Sequence, residues 1–227
     1  MKKGRSGLPV LVLLLLGVLR PGAQSAQTPE AALQLYSRGR QYQVSGQDSD
    51  ALKAFSSSLA IVDAMLTADP GRKDVVYLKC WNLFRLGRHR DVVALAEKFL
   101  AVSPDYRVAE TLAESLYFLE RNEEALKYFA SYIGSAPPGD DRFSSAYYFI
   151  GECYMRLKKY EHADIAFSTA LTFEKGMYFW WYRMGTVKEY LGQYKRAYES
   201  YGKALELKPG FDAAIEGRSR VKAKAGL

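Results

Sequence analysis

The chain has 227 residues, of which 48% are hydrophobic, 14% aromatic and 25% charged. That length suits one or two domains, and the composition is that of a globular chain rather than a disordered or membrane-embedded one. The formal charge is +7, but Lys2, Lys3, Arg5 and Arg20 lie in a leading segment that holds no acidic residue; without those four the balance is about +3, too mild to imply a nucleic-acid partner.

That leading segment covers residues 1–26. Its cations precede an apolar run from Leu8 to Leu19, shorter than the roughly 20 residues a membrane-spanning helix needs. Arg20-Pro21-Gly22 and the small residues Ala23, Ser25 and Ala26 follow. This is the layout of a secretory signal peptide cut after Ser25 or Ala26. It predicts a secreted or periplasmic mature protein. The other reading is an uncleaved signal anchor, which is the single route to a membrane that the sequence offers. No cysteine lies near the cut, which argues against a bacterial lipoprotein.

Beyond the cut, Thr28 is placed to cap a helix with Pro29 at its first position. The rest, residues 27–211, reads as five helical pairs followed by a cap. The first pair, 32–69, carries Leu35, Gly39, Tyr42, Gly46, Ala51, Phe55 and Leu59. Its second helix runs on through Ile61, Val62, Met65 and Leu66, about two turns beyond the others. The second pair, 73–105, turns at Leu86-Gly87-Arg88 and has Lys79, Cys80, Val92 and Ala96 at its key positions. The third, 106–139, carries Leu112, Ala113, Leu116, Leu119, Ala125 and Phe129, and Pro137 to Asp141 form an insertion after it.

The fourth and fifth pairs, 144–177 and 178–211, are the clearest. Tyr147, Gly151, Tyr154, Ala163 and Phe167 recur, one period later, as Trp181, Gly185, Lys188, Ala197 and Tyr201. Large residues three and four apart give each helix one apolar stripe. Pro209-Gly210 stops the last helix, whereas Lys175 stands where the fourth pair would have its proline. Residues 212–227 read as a capping helix and tail, with Asp212 as its N-cap, a thin apolar face and a basic one of Arg218, Arg220, Lys222 and Lys224.

These spacings resemble the tetratricopeptide repeat, a helical pair of about 34 residues; Lys188 departs from it, standing where an aromatic is usual. The resemblance implies an all-α fold, a right-handed α–α superhelix with a C-terminal capping helix, forming one elongated domain. It also implies a concave face built from the first helix of each pair, where a peptide or protein partner docks. Carried over residue by residue, that face holds Tyr36 and Arg40, then Tyr77, Trp81, Phe84 and Arg85, then Glu110, Glu114 and Tyr117. From the last two pairs come Tyr148, Glu152, Arg156, Tyr182 and Glu189. Tyrosine and tryptophan suit a peptide groove, although the same rings could fill the seams between repeats. Glu110, Glu114 and Glu152 favour a basic or neutral partner. The expected role is an extracytoplasmic adaptor or assembly scaffold; the alternative is a transport-accessory or solute-handling protein with a small apolar ligand in the groove.

No residue pattern points to an enzyme, a metal or a cofactor. His89 and His162 fall at turns two repeats apart, too far to share a metal, and read as solvated turn residues. No glycine-rich phosphate loop or nucleophile motif is present. Cys80 and Cys153 are also two repeats apart. With helices about 8–10 Å from axis to axis, they cannot reach the roughly 7 Å Cα separation that a disulfide requires, so both are expected to be free.

Overall fold

The computed structural model describes residues 27–227; the expected signal peptide lies outside the described residues. Among these are eleven α-helices and no strand. The first five pairs are α1 (Pro29–Val44) with α2 (Asp48–Ala68), α3 (Val76–Arg85) with α4 (His89–Leu100), α5 (Tyr106–Phe118) with α6 (Asn122–Ser135), α7 (Phe143–Arg156) with α8 (Tyr160–Phe173), and α9 (Tyr178–Tyr190) with α10 (Tyr194–Leu207). A final helix, α11 (Asp212–Lys222), packs on α10. Each pair is an antiparallel hairpin, and the first helices stack on one another, α1 on α3, α3 on α5 and α5 on α7. The chain is thus an all-α solenoid with a terminal capping helix.

One contact recurs along the array. A Cβ placed on Gly39, Gly151 or Gly185 would lie 2.6 Å from the ring of Phe55, Phe167 or Tyr201, each sixteen residues further on in the facing helix. The missing side chain lets an aromatic ring of the second helix lie directly on the backbone of the first. The third pair has Ala113 opposite Phe129 at these positions. The second has Cys80 and Ala96, all four of them fully buried. There the ring is lost while the first-helix residue grows, a partial exchange of volume. Burial pushes the Cys80 and Cys153 thiols up to about 12, and both are free.

The turn inside each pair has a shared backbone requirement. Gly46, Gly87 and Gly192 take φ near +70°, and in the third and fourth pairs Glu120 (62°) and Lys158 (57°) hold the same left-handed position. Left-handed backbone crowds the Cβ against the following carbonyl at about 1–2 kcal/mol, so those two turns are strained relative to the others.

α2 is long because its last turns have something to cover. Val62 and Met65 are buried against Val75 and Leu78 at the start of the next pair. By length and composition α2 could cross a bilayer, but it packs between α1 and α3 with Phe55, Leu59, Val62 and Met65 buried. A polar relay also joins these helices. The Ser58 hydroxyl donates to the Ala32 carbonyl at 2.7 Å, and Asn82 Nδ2 donates to Ser58 Oγ at 2.9 Å, all of it buried.

Of the two N-caps expected from the sequence, one is present. Thr28 Oγ1 accepts from the Ala31 amide at 3.2 Å, with Pro29 first in α1. Asp212, expected as an N-cap, is instead the first residue of α11, and its side chain caps nothing. The cap helix is held by other means. Gly217 lets it approach the Tyr201 ring (2.7 Å from a built Cβ), and Arg220 forks onto Glu189 at 2.7 and 2.8 Å. Lys188, where an aromatic was expected, pairs with Asp164 of the preceding repeat at 2.8 Å, and Lys79 pairs likewise with Asp63 at 2.7 Å.

Gly185→Leu should lower stability by at least about 1–3 kcal/mol, because the new side chain enters the Tyr201 ring. Lys158→Gly should raise it by about 1 kcal/mol through relief of the left-handed turn. Urea denaturation of the two variants measures both effects, which have opposite signs.

Candidate functional site

The stacked first helices enclose one cavity of about 260 Å³ in the N-terminal half of the array. Seven of the fourteen residues expected at the binding face line it: Tyr36 and Arg40 from α1, Trp81, Phe84 and Arg85 from α3, and Glu110 and Glu114 from α5. The wall is completed by Tyr106, Arg107 and Thr111 of α5, Tyr132 of α6, and the linker residues Asp140, Asp141 and Arg142. Tyr77, Tyr117, Tyr148, Glu152, Arg156, Tyr182 and Glu189 lie outside it.

The aromatic wall is rigid. Tyr36 stacks on Trp81 with ring centroids 5.4 Å apart and leans on Phe55, the ring that rests on Gly39. Tyr77 meets Trp81 edge-on at 4.9 Å, and its other side is covered by the Arg107 guanidinium, 3.7 Å from the ring centre. Arg107 is in turn held by Asp105, the N-cap of α5, at 2.6 Å. Tyr77 therefore supports Trp81 from behind and does not face the cavity.

The carboxylates do not behave as the sequence suggested. Glu110 and Glu114 sit one turn apart on α5, with 4% and 3% of their surface exposed. Arg142 reaches back from the linker and donates Nε to Glu110 and Nη2 to Glu114, each at 2.6 Å. Asp140 fixes the linker, accepting the Tyr132 hydroxyl at 2.6 Å and the Arg142 amide at 3.0 Å. Burial raises both glutamate pKa values despite the arginine, and it holds Glu110 protonated up to about 8. Burial opposes the Arg142 charge too, but the two glutamates outweigh it and the guanidinium stays ionised. Both carboxyl groups are buried and already bound to one guanidinium, so they are not available to select a basic partner. Glu152, buried on α7, is likewise engaged by a fork from Arg183 of α9, with Nη2 to Oε2 at 2.9 Å.

The remaining expected residues serve packing. Tyr148 stacks on Trp180 of the next repeat at 5.2 Å and leans on Phe167. Tyr117 is buried beneath Arg156, whose guanidinium lies 3.8 Å above the ring and donates to the Tyr117 carbonyl at 2.7 Å. Tyr182 is half-buried between Tyr201 and Phe211. Glu189 holds the cap helix through Arg220 and also accepts the Tyr201 hydroxyl at 2.9 Å. His89 is not a solvated turn residue. Its ring stacks on Phe118 at 4.8 Å and meets Phe84 edge-on, and burial lowers its pKa. His162 is exposed beside Tyr154. Among the described residues no three histidine, cysteine or acidic side chains gather as metal ligands.

Arg142 and Arg183 escaped the sequence reading. One follows the insertion at 137–141, and the other is an unremarkable helix residue. Neither has a carboxylate partner within its own repeat. The available signal was the pair of glutamates one turn apart on an otherwise apolar face, since buried acids require a partner.

Two guanidinium groups are left over. Arg40 and Arg85 have no carboxylate within 4.0 Å among the described residues; Arg85 Nε lies 3.5 Å from the Tyr36 hydroxyl.

The glutamate pair makes stability depend on pH. A carboxyl whose folded pKa is raised favours the folded state fully below its unfolded value, near 4.5, and loses that contribution as pH rises through the folded value, about 8 for Glu110. The melting midpoint should therefore decline between about pH 5 and 8, and Glu110→Gln, which cannot ionise, should flatten the slope. Thermal melts across that window check this. An equal slope in both proteins would show that Glu110 is ionised throughout.

Residues 144–175 and 178–211 each match the tetratricopeptide repeat family. No curated protein matches the chain. Among solved structures, a MamA chain from Desulfovibrio magneticus RS-1 is 18% identical, with a TM-score of 0.58 over 80% of this chain and 97% of that one. YrrB, described as a TPR protein with an unusual peptide-binding site, is 17% identical, with a TM-score of 0.58 over 86% and 96% of the two chains. A chain of the APC/C hetero-tetramer Cut9–Hcn1 is 13% identical with a TM-score of 0.66, over 87% of this chain and 38% of that one. At these identities the likeness is one of fold. Together with the two matched repeats and the recurring ring-on-glycine contact, it shows a solenoid of the tetratricopeptide-repeat fold, with residues 144–175 and 178–211 as tetratricopeptide repeats.

Proposed function

We propose that this protein is an extracytoplasmic interaction module, an adaptor or assembly scaffold, that holds a segment of a partner protein in the cavity between α1, α3 and α5. Tetratricopeptide repeats in general bind proteins or peptides. The observation that carries the reading here is the open aromatic wall of Tyr36, Trp81 and Phe84 flanked by two guanidinium groups with no carboxylate partner. Rigid rings with polar tips give contact area at low entropic cost, and unmatched arginines give orientation. A small apolar ligand suits this cavity poorly, because four arginines and four acidic residues line it. Placement outside the cytoplasm rests on the charged start, short apolar run and small-residue exit of residues 1–26.

Affinity capture from the native envelope tests the reading with paired variants. Trp81→Ala should lose most of the captured partner even in the molecules that remain folded, since Trp81 lines the cavity. Tyr148→Ala should show the opposite: stability falls by roughly 3 kcal/mol as a seam ring is removed, and the molecules that remain folded capture normally. Capture unaffected by Trp81→Ala would place the binding surface elsewhere. Export is tested separately by N-terminal sequencing from the native host, with a start near Gln27 expected; a mature protein beginning at Met1 would rule out cleavage.

A further inference from the structure

The register of the fifth pair runs on into α11. Ile215, Ser219 and Lys222 stand one period after Trp181, Gly185 and Lys188, the positions at which α9 meets the second helices beside it. Val221 is buried as Val187 is. Gly226, one period after Gly192, takes the same left-handed φ, 73° against 69°, that turns the chain inside the fifth pair. In position and register α11 is therefore the first helix of a sixth pair. Where a second helix would lie against it there is a groove of about 220 Å³, walled by Tyr198 and Leu205 of α10 and by Ile215, Arg218, Ser219 and Lys222 of α11. Leu171, one period before Leu205, is 5% exposed, whereas Leu205 is half-buried and Ile215 is 43% exposed. The groove has two basic wall residues and no acidic one; Glu199 and Glu216 are exposed and lie outside it. The Arg218 guanidinium covers the Tyr198 ring at 4.2 Å, and its Nε is buried with no hydrogen-bond partner among the described residues. Lys222 repeats Lys188, but Tyr198 stands where Asp164 pairs with that lysine. The cation of an inter-repeat tie is kept while its acid is gone.

We propose that this groove is a second docking surface, apart from the cavity between α1, α3 and α5, and that it takes an amphipathic helix of a partner protein with an acidic residue beside its apolar stripe. The shape follows from the register, since the seat is the one that α10 occupies against α9. The apolar stripe lies along Leu205 and Ile215, in the manner of a helix laid into a groove. The carboxylate accepts from Arg218 Nε and from Lys222, which satisfies a buried donor and restores the missing half of the tie. Ser219 limits the fit: its side chain keeps an aromatic ring from resting on the backbone as Tyr201 rests on Gly185. The partner helix therefore carries alanine or another small residue at its closest approach.

The test uses three fluorescent amphipathic peptides of 14 residues, the length of α10, acetylated and amidated so that no terminal charge contributes. Each has a stripe of leucine and alanine flanked by glutamate, by glutamine or by lysine. Fluorescence anisotropy with the mature protein should show the glutamate peptide binding about fivefold more tightly than the glutamine peptide, with the lysine peptide weakest and the preference narrowing as salt is added. Ile215→Asp and, separately, Ser219→Trp should remove binding of all three with near-native melting midpoints, since both positions are exposed on α11. Arg218→Gln combined with Lys222→Gln should keep binding but level the three affinities. Sedimentation velocity of the protein alone should show a monomer. The proposal fails if no peptide binds, if the glutamine or lysine peptide binds as well as the glutamate one, or if binding survives both Ile215→Asp and Ser219→Trp. Self-association that Ser219→Trp abolishes would give the groove to a second copy of this chain and overturn it as well.

Discussion

The structure depends on an aromatic ring lying against a helix that has no side chain at the point of contact. Phe55 on Gly39, Phe167 on Gly151 and Tyr201 on Gly185 set how close the two helices of a pair come. That distance fixes where the next pair can stack. Tyr201 serves twice, since Gly217 allows the cap helix to approach the same ring. The final ring of the array is thereby enclosed, as a repeat needs to be when no further repeat covers it. Tyr36, which stacks on Trp81 at the cavity wall, leans on the first of these rings. The site is in this sense an extension of the packing scheme.

Charge is distributed by a second constraint, that a buried acid must be matched or protonated. Three glutamates on first helices face inward, and the structure answers each with an arginine from a later element: Arg142 for Glu110 and Glu114, Arg183 for Glu152. These forks join neighbouring repeats and occupy the carboxylates that the sequence offers a ligand. Lysines at otherwise apolar packing positions are also paired across repeats, Lys79 with Asp63 and Lys188 with Asp164. The departures from the repeat pattern are thus inter-repeat ties.

The two halves of the array differ because their seams are filled differently. In the C-terminal half Trp180 covers Tyr148 and Phe211 covers Tyr182, so these first-helix rings are packed over by neighbouring rings. Between α1, α3 and α5 the rings line open space. There Arg142 and Asp140 draw the linker into the wall, and this leaves a cavity rather than a sealed seam.

The helical pairs and the cap were legible in the sequence because they rest on local spacing. Glycine opposite a ring sixteen residues on, and Leu-Gly turns, are properties of a single hairpin. The turns at Glu120 and Lys158 were legible in phase but not in backbone, since no glycine announces their left-handed φ. Half of the expected binding residues do line the cavity, for the same reason: first-helix register is a local property. What only the tertiary structure decided is which of those side chains are free. Arg142 meets Glu114 across 28 residues and Arg183 meets Glu152 across 31. Such pairings depend on the rotation between successive repeats and on the path of the 137–141 linker. Neither is written in any one repeat, because a helix's register states the face a side chain occupies but not which neighbour will reach it.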